Sequence, residues 1–286
     1  MQSLWMVVAS LFFALMGMFI KLAAEYHNLG EIVLFRGLPS VFAIAAYAFY
    51  HQLPLLGNHL KTHARRNISG ITSMWLGFYS TTLLPQGTAS ALKYTSPLFI
   101  AAALLYQGYS PGILKAQWLR FGAIILGFIG VLCIFNPFTE NGLDTSAFTA
   151  GLISGFMGAT AYMTVRSLGR IGEPEWRTVL LFSSSVVITG LAGVAILGIS
   201  DYTLTSSLYL LGVGLSGLGG QLSMTRAFSR GSTTLSATLQ YTGIIFSSLI
   251  GYQIWGETLN HIGALGMILV IVSGVAATLY ARQRNA

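Results

Sequence analysis

The sequence predicts an all-α integral membrane protein of ten transmembrane helices, built as two inverted repeats of five. Three observations carry that prediction. Charged residues are only 8% of the 286, apolar residues are 54%, and the apolar residues gather into about ten long segments. Soluble domains hold about 25% charged residues. A surface helix of such a domain is apolar along one stripe, whereas these segments are apolar all round.

In order, the segments run 3–23, 31–50, 67–86, 88–108, 118–136, 147–166, 176–198, 205–226, 232–255 and 260–281. Each has roughly 18–23 residues, the length a helix needs to cross hydrocarbon about 30 Å thick. The first could be mistaken for a secretory signal. No basic residue precedes it and no convincing small-x-small cleavage site follows, so it reads as a span. The second opens on Glu31 and holds Arg36. The fourth holds Lys93 and, near its middle, Pro97, which removes a backbone hydrogen bond and predicts a hinge or a fixed kink. Glycines at 151 and 155, from 212 to 220, and at 263 and 266 supply faces along which helices approach closely in lipid. Cys133 is the single cysteine, so no intrachain disulfide forms.

The basic residues alternate between gaps. Even-numbered gaps, the segment ends beside them and the tail carry Lys61, Arg65 and Arg66; Lys115 and Arg120; Arg166, Arg170 and Arg177; Arg226 and Arg230; and Arg282 and Arg284. Odd-numbered gaps and the segment ends beside them carry Lys21 alone, and only Arg36 and Lys93 fall in segment interiors, more than three residues from an end. Positive loops stay cytoplasmic, which predicts an even number of spans, both termini in the cytoplasm and a place in the cell inner membrane. The net charge of +7 belongs to this topology rather than to nucleic acid, because no basic patch interleaves with aromatics on a polar face. The longest gaps, near 51–66 and 137–146, are too short to form a soluble head.

The two halves, 1–138 and 147–283, look alike. At an offset of 144, Gly70, Thr81 and Gly87 meet Gly214, Thr225 and Gly231; Gly122, Gly130 and Val131 meet Gly266, Gly274 and Val275. With a three-residue slip, Leu92, Tyr94, Thr95 and Phe99 meet Leu239, Tyr241, Thr242 and Phe246. Five spans per half is an odd number, so the second half enters the membrane inverted. Secondary carriers use such repeats to build two exchangeable gates around one midplane site.

Five stretches carry a resemblance to a known family: Glu31-Ile-Val-Leu-Phe-Arg36, Ala91-Leu-Lys-Tyr-Thr-Ser-Pro97-Leu-Phe, Gly220-Gln-Leu-Ser-Met-Thr-Arg226-Ala-Phe, Leu239-Gln-Tyr-Thr and Trp255-Gly-Glu257. Through them the whole chain resembles the ten-helix drug/metabolite transporter superfamily, in particular its EamA-type members. It departs from them where Tyr109-Ser110 replaces the Gly-Glu signature of the first half. The resemblance implies an inner-membrane transporter of small organic metabolites working by alternating access. The second-half motif is similar to that of riboflavin and S-adenosylmethionine carriers, which points to vitamin-like or zwitterionic substrates. An amino-acid or drug exporter of the same superfamily is the alternative. A membrane-embedded lipid-modifying enzyme is the alternative from another class, but the His, Asp and Glu cluster it needs near one membrane face is missing. The implied partners are the substrate and the bilayer, with no cofactor and no nucleic acid, in a monomer or weak homodimer.

Candidate site residues follow from the cost of polarity in lipid. A charge at mid-bilayer costs at least about 2.5–3.5 kcal/mol, so Arg36 and Lys93 either snorkel to the surface or serve a cavity. Arg36 has Glu31 or helix-end carbonyls within reach as partners, and a cavity-facing Lys93 favours a carboxylate or phosphate on the substrate. The pairs Tyr94-Thr95 and Tyr241-Thr242 offer stacking faces and hydroxyls to a planar or zwitterionic metabolite, or else interhelical hydrogen bonds. Gln240 stands where Lys93 stands in the other half; Gln221, Trp75 and Tyr79 complete the cavity candidates, and Pro97 is the candidate hinge. The sequence shows no nucleophile constellation and no metal-ligand spacing, with His51, His59, His63 and His261 in or beside loops and His27 in the first outer gap. No His or carboxylate lies in the middle of a segment, which predicts uniport or exchange rather than proton symport, with Glu31 and Glu257 as the fallback proton carriers.

Overall fold

The computed structural model describes residues 2–55, 57, 59–107, 122, 125–127, 129, 130, 133, 144–257 and 261–282. Helix accounts for 86% of them, with no strand among the described residues. After one 3-10 turn at Gln2–Leu4 come α1 (Trp5–Ala23), α2 (Leu29–Tyr50), α3 (Leu60–Leu83), α4 (Gln86–Lys93) and α5 (Ser96–Gln107). The second half has α6 (Thr145–Arg170), α7 (Glu175–Leu197), α8 (Leu204–Arg230), α9 (Thr233–Leu239), α10 (Thr242–Trp255) and α11 (His261–Arg282). The predicted fifth segment lies largely outside the described residues, as do Tyr109-Ser110, Lys115 and Arg120.

Among the described residues, four helices are long and apolar enough to cross a membrane: Gln2–Ala23, α2, α6 and α7. Others fall short for visible reasons. The first two turns of α3 hold Lys61, His63, Arg65 and Arg66, and the fourth and ninth predicted segments are each split in two.

Those splits correct the reading of Pro97. The fourth segment is two helices separated at Tyr94-Thr95, and Pro97 occupies the first turn of α5, where its missing N–H has no intrahelical partner to lose. The ninth segment splits in the corresponding place, at Gln240-Tyr241, with Ile244 opposite the proline. Proline is therefore not the shared cause. Both breaks instead share a threonine whose hydroxyl takes a carbonyl three residues back: Thr95 Oγ1 donates to Leu92 O and Thr242 Oγ1 to Leu239 O, each at 2.7 Å. The two breaks meet across the bundle, where Ser96 Oγ donates to Gln240 Oε1 at 3.3 Å and the Tyr94 ring packs on Gly243.

The most extensive pairings join α3 to α6, α2 to α7 and α1 to α8. Small residues allow these approaches, since lipid gives helices no hydrophobic drive toward each other. A Cβ on Gly193 would stand 2.9 Å from Gly30 Cα, and one on Gly220 would stand 2.7 Å from the Phe13 ring.

Candidate functional site

A central chamber of about 80 Å³ lies where α1, α2, α3, α4, α6, α7 and α8 converge. Its walls include Phe13 and Met16 of α1, Arg36 of α2, Arg66 and Ser73 of α3, Lys93 of α4, Tyr162 of α6, Phe182 of α7 and Gln221 of α8. Tyr94, in the first helix break, also faces it.

Three cations share this chamber, and no carboxylate lines it among the described residues. Arg36 is buried; its Nη2 donates to Gln221 Oε1 at 2.9 Å, and its guanidinium carbon lies 5.1 Å from the centre of the Phe182 ring. Arg66, also buried, stacks on the same ring at 3.6 Å. Lys93 Nζ sits 4.9 Å from the centre of the Phe13 ring. An aromatic face attracts a cation but does not neutralise it. Nε and Nη1 of both arginines and Nε2 of Gln221 are buried donors with no acceptor among the described residues.

The expected partner of Arg36, Glu31, is engaged elsewhere. As the third residue of α2, it closes a capping box with Asn28 and accepts from Ser200 Oγ at 2.6 Å and Tyr202 Oη at 2.7 Å, which turns it toward the start of α8. His27 lies in the turn between α1 and α2, the first gap, where the sequence places it. It is buried, with Nδ1 3.5 Å from Glu31 Oε2.

Of the residues singled out from sequence, Arg36, Lys93, Tyr94 and Gln221 line the chamber. Thr95 and Thr242 instead hold the breaks, Gln240 bridges them, and Tyr241 is buried beside the second with its hydroxyl lacking a partner among the described residues. Trp75 points the other way around α3, its Nε1 donating to Thr189 Oγ1 at 3.4 Å. Tyr79 faces outward, 38% exposed, and shares a hydrogen bond with Ser146.

Arg66 is the correction with most consequence, because the sequence assigns it to a loop. Helix α3 begins at Leu60, six residues earlier, and its inward stripe runs His63, Arg66, Ser69, Gly70, Ser73, Met74, Gly77 and Phe78. That run of small and polar residues at three- and four-residue spacing was visible in the sequence, and it crosses the supposed boundary without a break. Phe182, the shared floor of both arginines, sits in an apolar run with nothing to mark it.

Both ends of the bundle carry paired charges. At the C-terminal end of α1, Glu257 pairs with Lys21 and accepts from Gln86 N at 2.8 Å. Gly256, at φ 62°, ends α10 in the left-handed conformation and turns Glu257 back over the helix end. Its carboxylate thereby caps α4, whose own N-cap, Pro85, offers no side-chain acceptor. Gln86 Nε2 donates in turn to Ala14 O of α1 at 2.7 Å. At the opposite end, His63 Nε2 lies 3.2 Å from Glu173 Oε1, and Arg177 Nη1 donates to the same oxygen at 2.9 Å. His63, in the first turn of α3 beside the loop that ends at His59, is buried. Burial lowers its pKa below the usual range, more than Glu173 raises it. Burial alone would raise Glu173, yet hydrogen bonds from Arg177 and His63 outweigh it and hold the carboxyl below its usual range. Glu175 pairs with Arg230, and Arg226 Nε donates to Gln2 Oε1 at 2.9 Å.

The chain has likenesses among known proteins. One crystal structure of a protein covers 100% of this chain and 99% of its own, with a TM-score of 0.69 at 14% identity, a likeness of fold. No family model matches the chain. Among curated relatives, an uncharacterized transporter of Helicobacter pylori is 27% identical over 96% of this chain and 93% of its own length. The pseudopaline exporter CntI of Pseudomonas aeruginosa is 27% identical over 94% and 93%. An S-adenosylmethionine uptake transporter of Rickettsia felis is 23% identical over 84% and 80%. With its apolar helices, this set of relatives marks the chain as a membrane transport protein.

Proposed function

We propose that the chain carries a small organic metabolite across the inner membrane by alternating access, within a ten-span topology of two inverted halves, 1–138 and 147–283. The carrying observation is the chamber between the helices, lined by Arg36, Arg66 and Lys93 with no carboxylate among its described lining residues. Buried charge in a membrane bundle is costly, and a transported ligand that meets it gives it a use. At about 80 Å³ the chamber is well below the roughly 300–1,000 Å³ of pockets that enclose drug-sized ligands, so loading needs a wider arrangement.

The helix pairings support the two-fold reading. Exchanging the halves exchanges α1 with α6 and α3 with α8, which turns the α1–α8 pairing into the α3–α6 pairing and leaves α2–α7 in place. In this reading the charged clusters at the two ends are the gates, Glu257 with Lys21 and Gln86 at one end and the Glu173 and Glu175 clusters at the other. The Rickettsia relative favours uptake of an S-adenosylmethionine-like compound; the Pseudomonas relative favours export. Relatives named as transporters weigh against the lipid-modifying enzyme. Reconstituted vesicles test the carrier directly. Preloading one side with the substrate should accelerate its entry from the other side, and uptake that is indifferent to preloading and never saturates would mean a channel. Collapsing the proton gradient should change flux only modestly, as uniport or exchange requires.

A further inference from the structure

Resting on the carrier reading above, we propose that the chamber is built for a small organic dianion, with one carboxylate or phosphate group held between Arg36 and Arg66 and a second at Lys93. Three observations carry this. The cations are divided between two aromatic floors, the arginines on Phe182 and the lysine on Phe13, so they form two positive subsites rather than one. The chamber's unpartnered buried groups are donors: Nε and Nη1 of each arginine and Nε2 of Gln221. A ligand meeting them must bring acceptors, and planar guanidinium forks suit a carboxylate or phosphate held by two parallel bonds. Third, the cations come from α2, α3 and α4 alone, whereas α6 and α7 contribute Tyr162 and Phe182. The anionic groups thus face the first half, so a conformational change that moves the halves apart draws them away from the Tyr162, Phe182 and Gln221 contacts of the second half.

Binding to the purified protein in detergent tests this without requiring transport. Succinate supplies two carboxylates, phosphoenolpyruvate a phosphate and a carboxylate, acetate and inorganic phosphate one anionic centre each, and putrescine two cations. At least one of the first two should bind about tenfold or more tightly than acetate and inorganic phosphate, and the better of them names the second group. Lys93→Gln should reduce that preference to near unity, with Lys93→Arg restoring it, while both variants elute as folded protein. Equal binding of acetate or inorganic phosphate, a preference that survives Lys93→Gln, or tighter binding of putrescine would each overturn the proposal. Dianion binding with no flux in vesicles would instead retire the carrier and keep the site; saturable flux of uncharged compounds alone would do the reverse.

Discussion

Cations at the ends of the bundle and cations at its centre belong to the same residue types and live in different company. Lys21, Arg177 and Arg230 each meet a glutamate: Glu257, Glu173 and Glu175. Arg36, Arg66 and Lys93 meet aromatic rings and Gln221 instead. Ion pairs across helix ends hold elements together and are easily exchanged with water, so they suit contacts that open and close. Central charges without counter-charge are costly to keep and gain their purpose from a ligand. On the proposed reading, one set closes the molecule and the other receives what it carries.

The largest expected effect falls on the central set. Lys93→Ala should lower transport by about tenfold to a hundredfold, the value of a hydrogen bond to a charged group, with membrane insertion intact. Unchanged uptake kinetics would move Lys93 to the structural side of the divide. At the rim, Glu257→Gln removes the pair with Lys21 and weakens the cap on α4. The pair is partly exposed, so the balance between open and closed forms should shift only about twofold to fivefold, read from the accessibility of that end to an impermeant label. At the other end, acid should loosen the His63 and Glu173 clamp. Both groups sit below their usual pKa values, so the unfolded chain binds protons first, and stability present above pH 6.5 is lost as pH falls below it, with Glu173 adding to the loss below pH 4.5. His63→Gln should flatten the first part of a melting-temperature profile; a profile that keeps its slope in the variant would place the titration elsewhere. The smallest effect is expected from Tyr241→Phe, since its hydroxyl has no partner among the described residues to lose. Transport and melting temperature should both stay near those of the parent.

Much of the fold was legible because lipid imposes a length and a composition that α1, α2, α6 and α7 satisfy directly. Arg36, Lys93 and Gln221 were legible because polarity inside an apolar run stands out. Arg66 was hidden for the converse reason: next to Lys61 and Arg65 it looked like a loop charge, and only the face on which α3 places it tells it apart. The helix breaks were half-legible. Tyr94-Thr95 and Tyr241-Thr242 stood out as a repeated pair, but a hydroxyl that could serve a ligand equally serves a freed carbonyl, and the backbone decides which. Trp75 and Tyr79, one turn apart, show the limit of spacing arguments. They share one side of α3, and that side faces away from the chamber.

The most direct test places one reporter in the chamber wall. With Cys133→Ser removing the single native thiol, Ser90→Cys puts a near-isosteric thiol there. Alternating access predicts labelling by an impermeant thiol reagent from one membrane face in the parent background, with labelling from the other face rising when Glu257→Gln weakens the gate. Equal labelling from both faces, indifferent to residue 257, would contradict it.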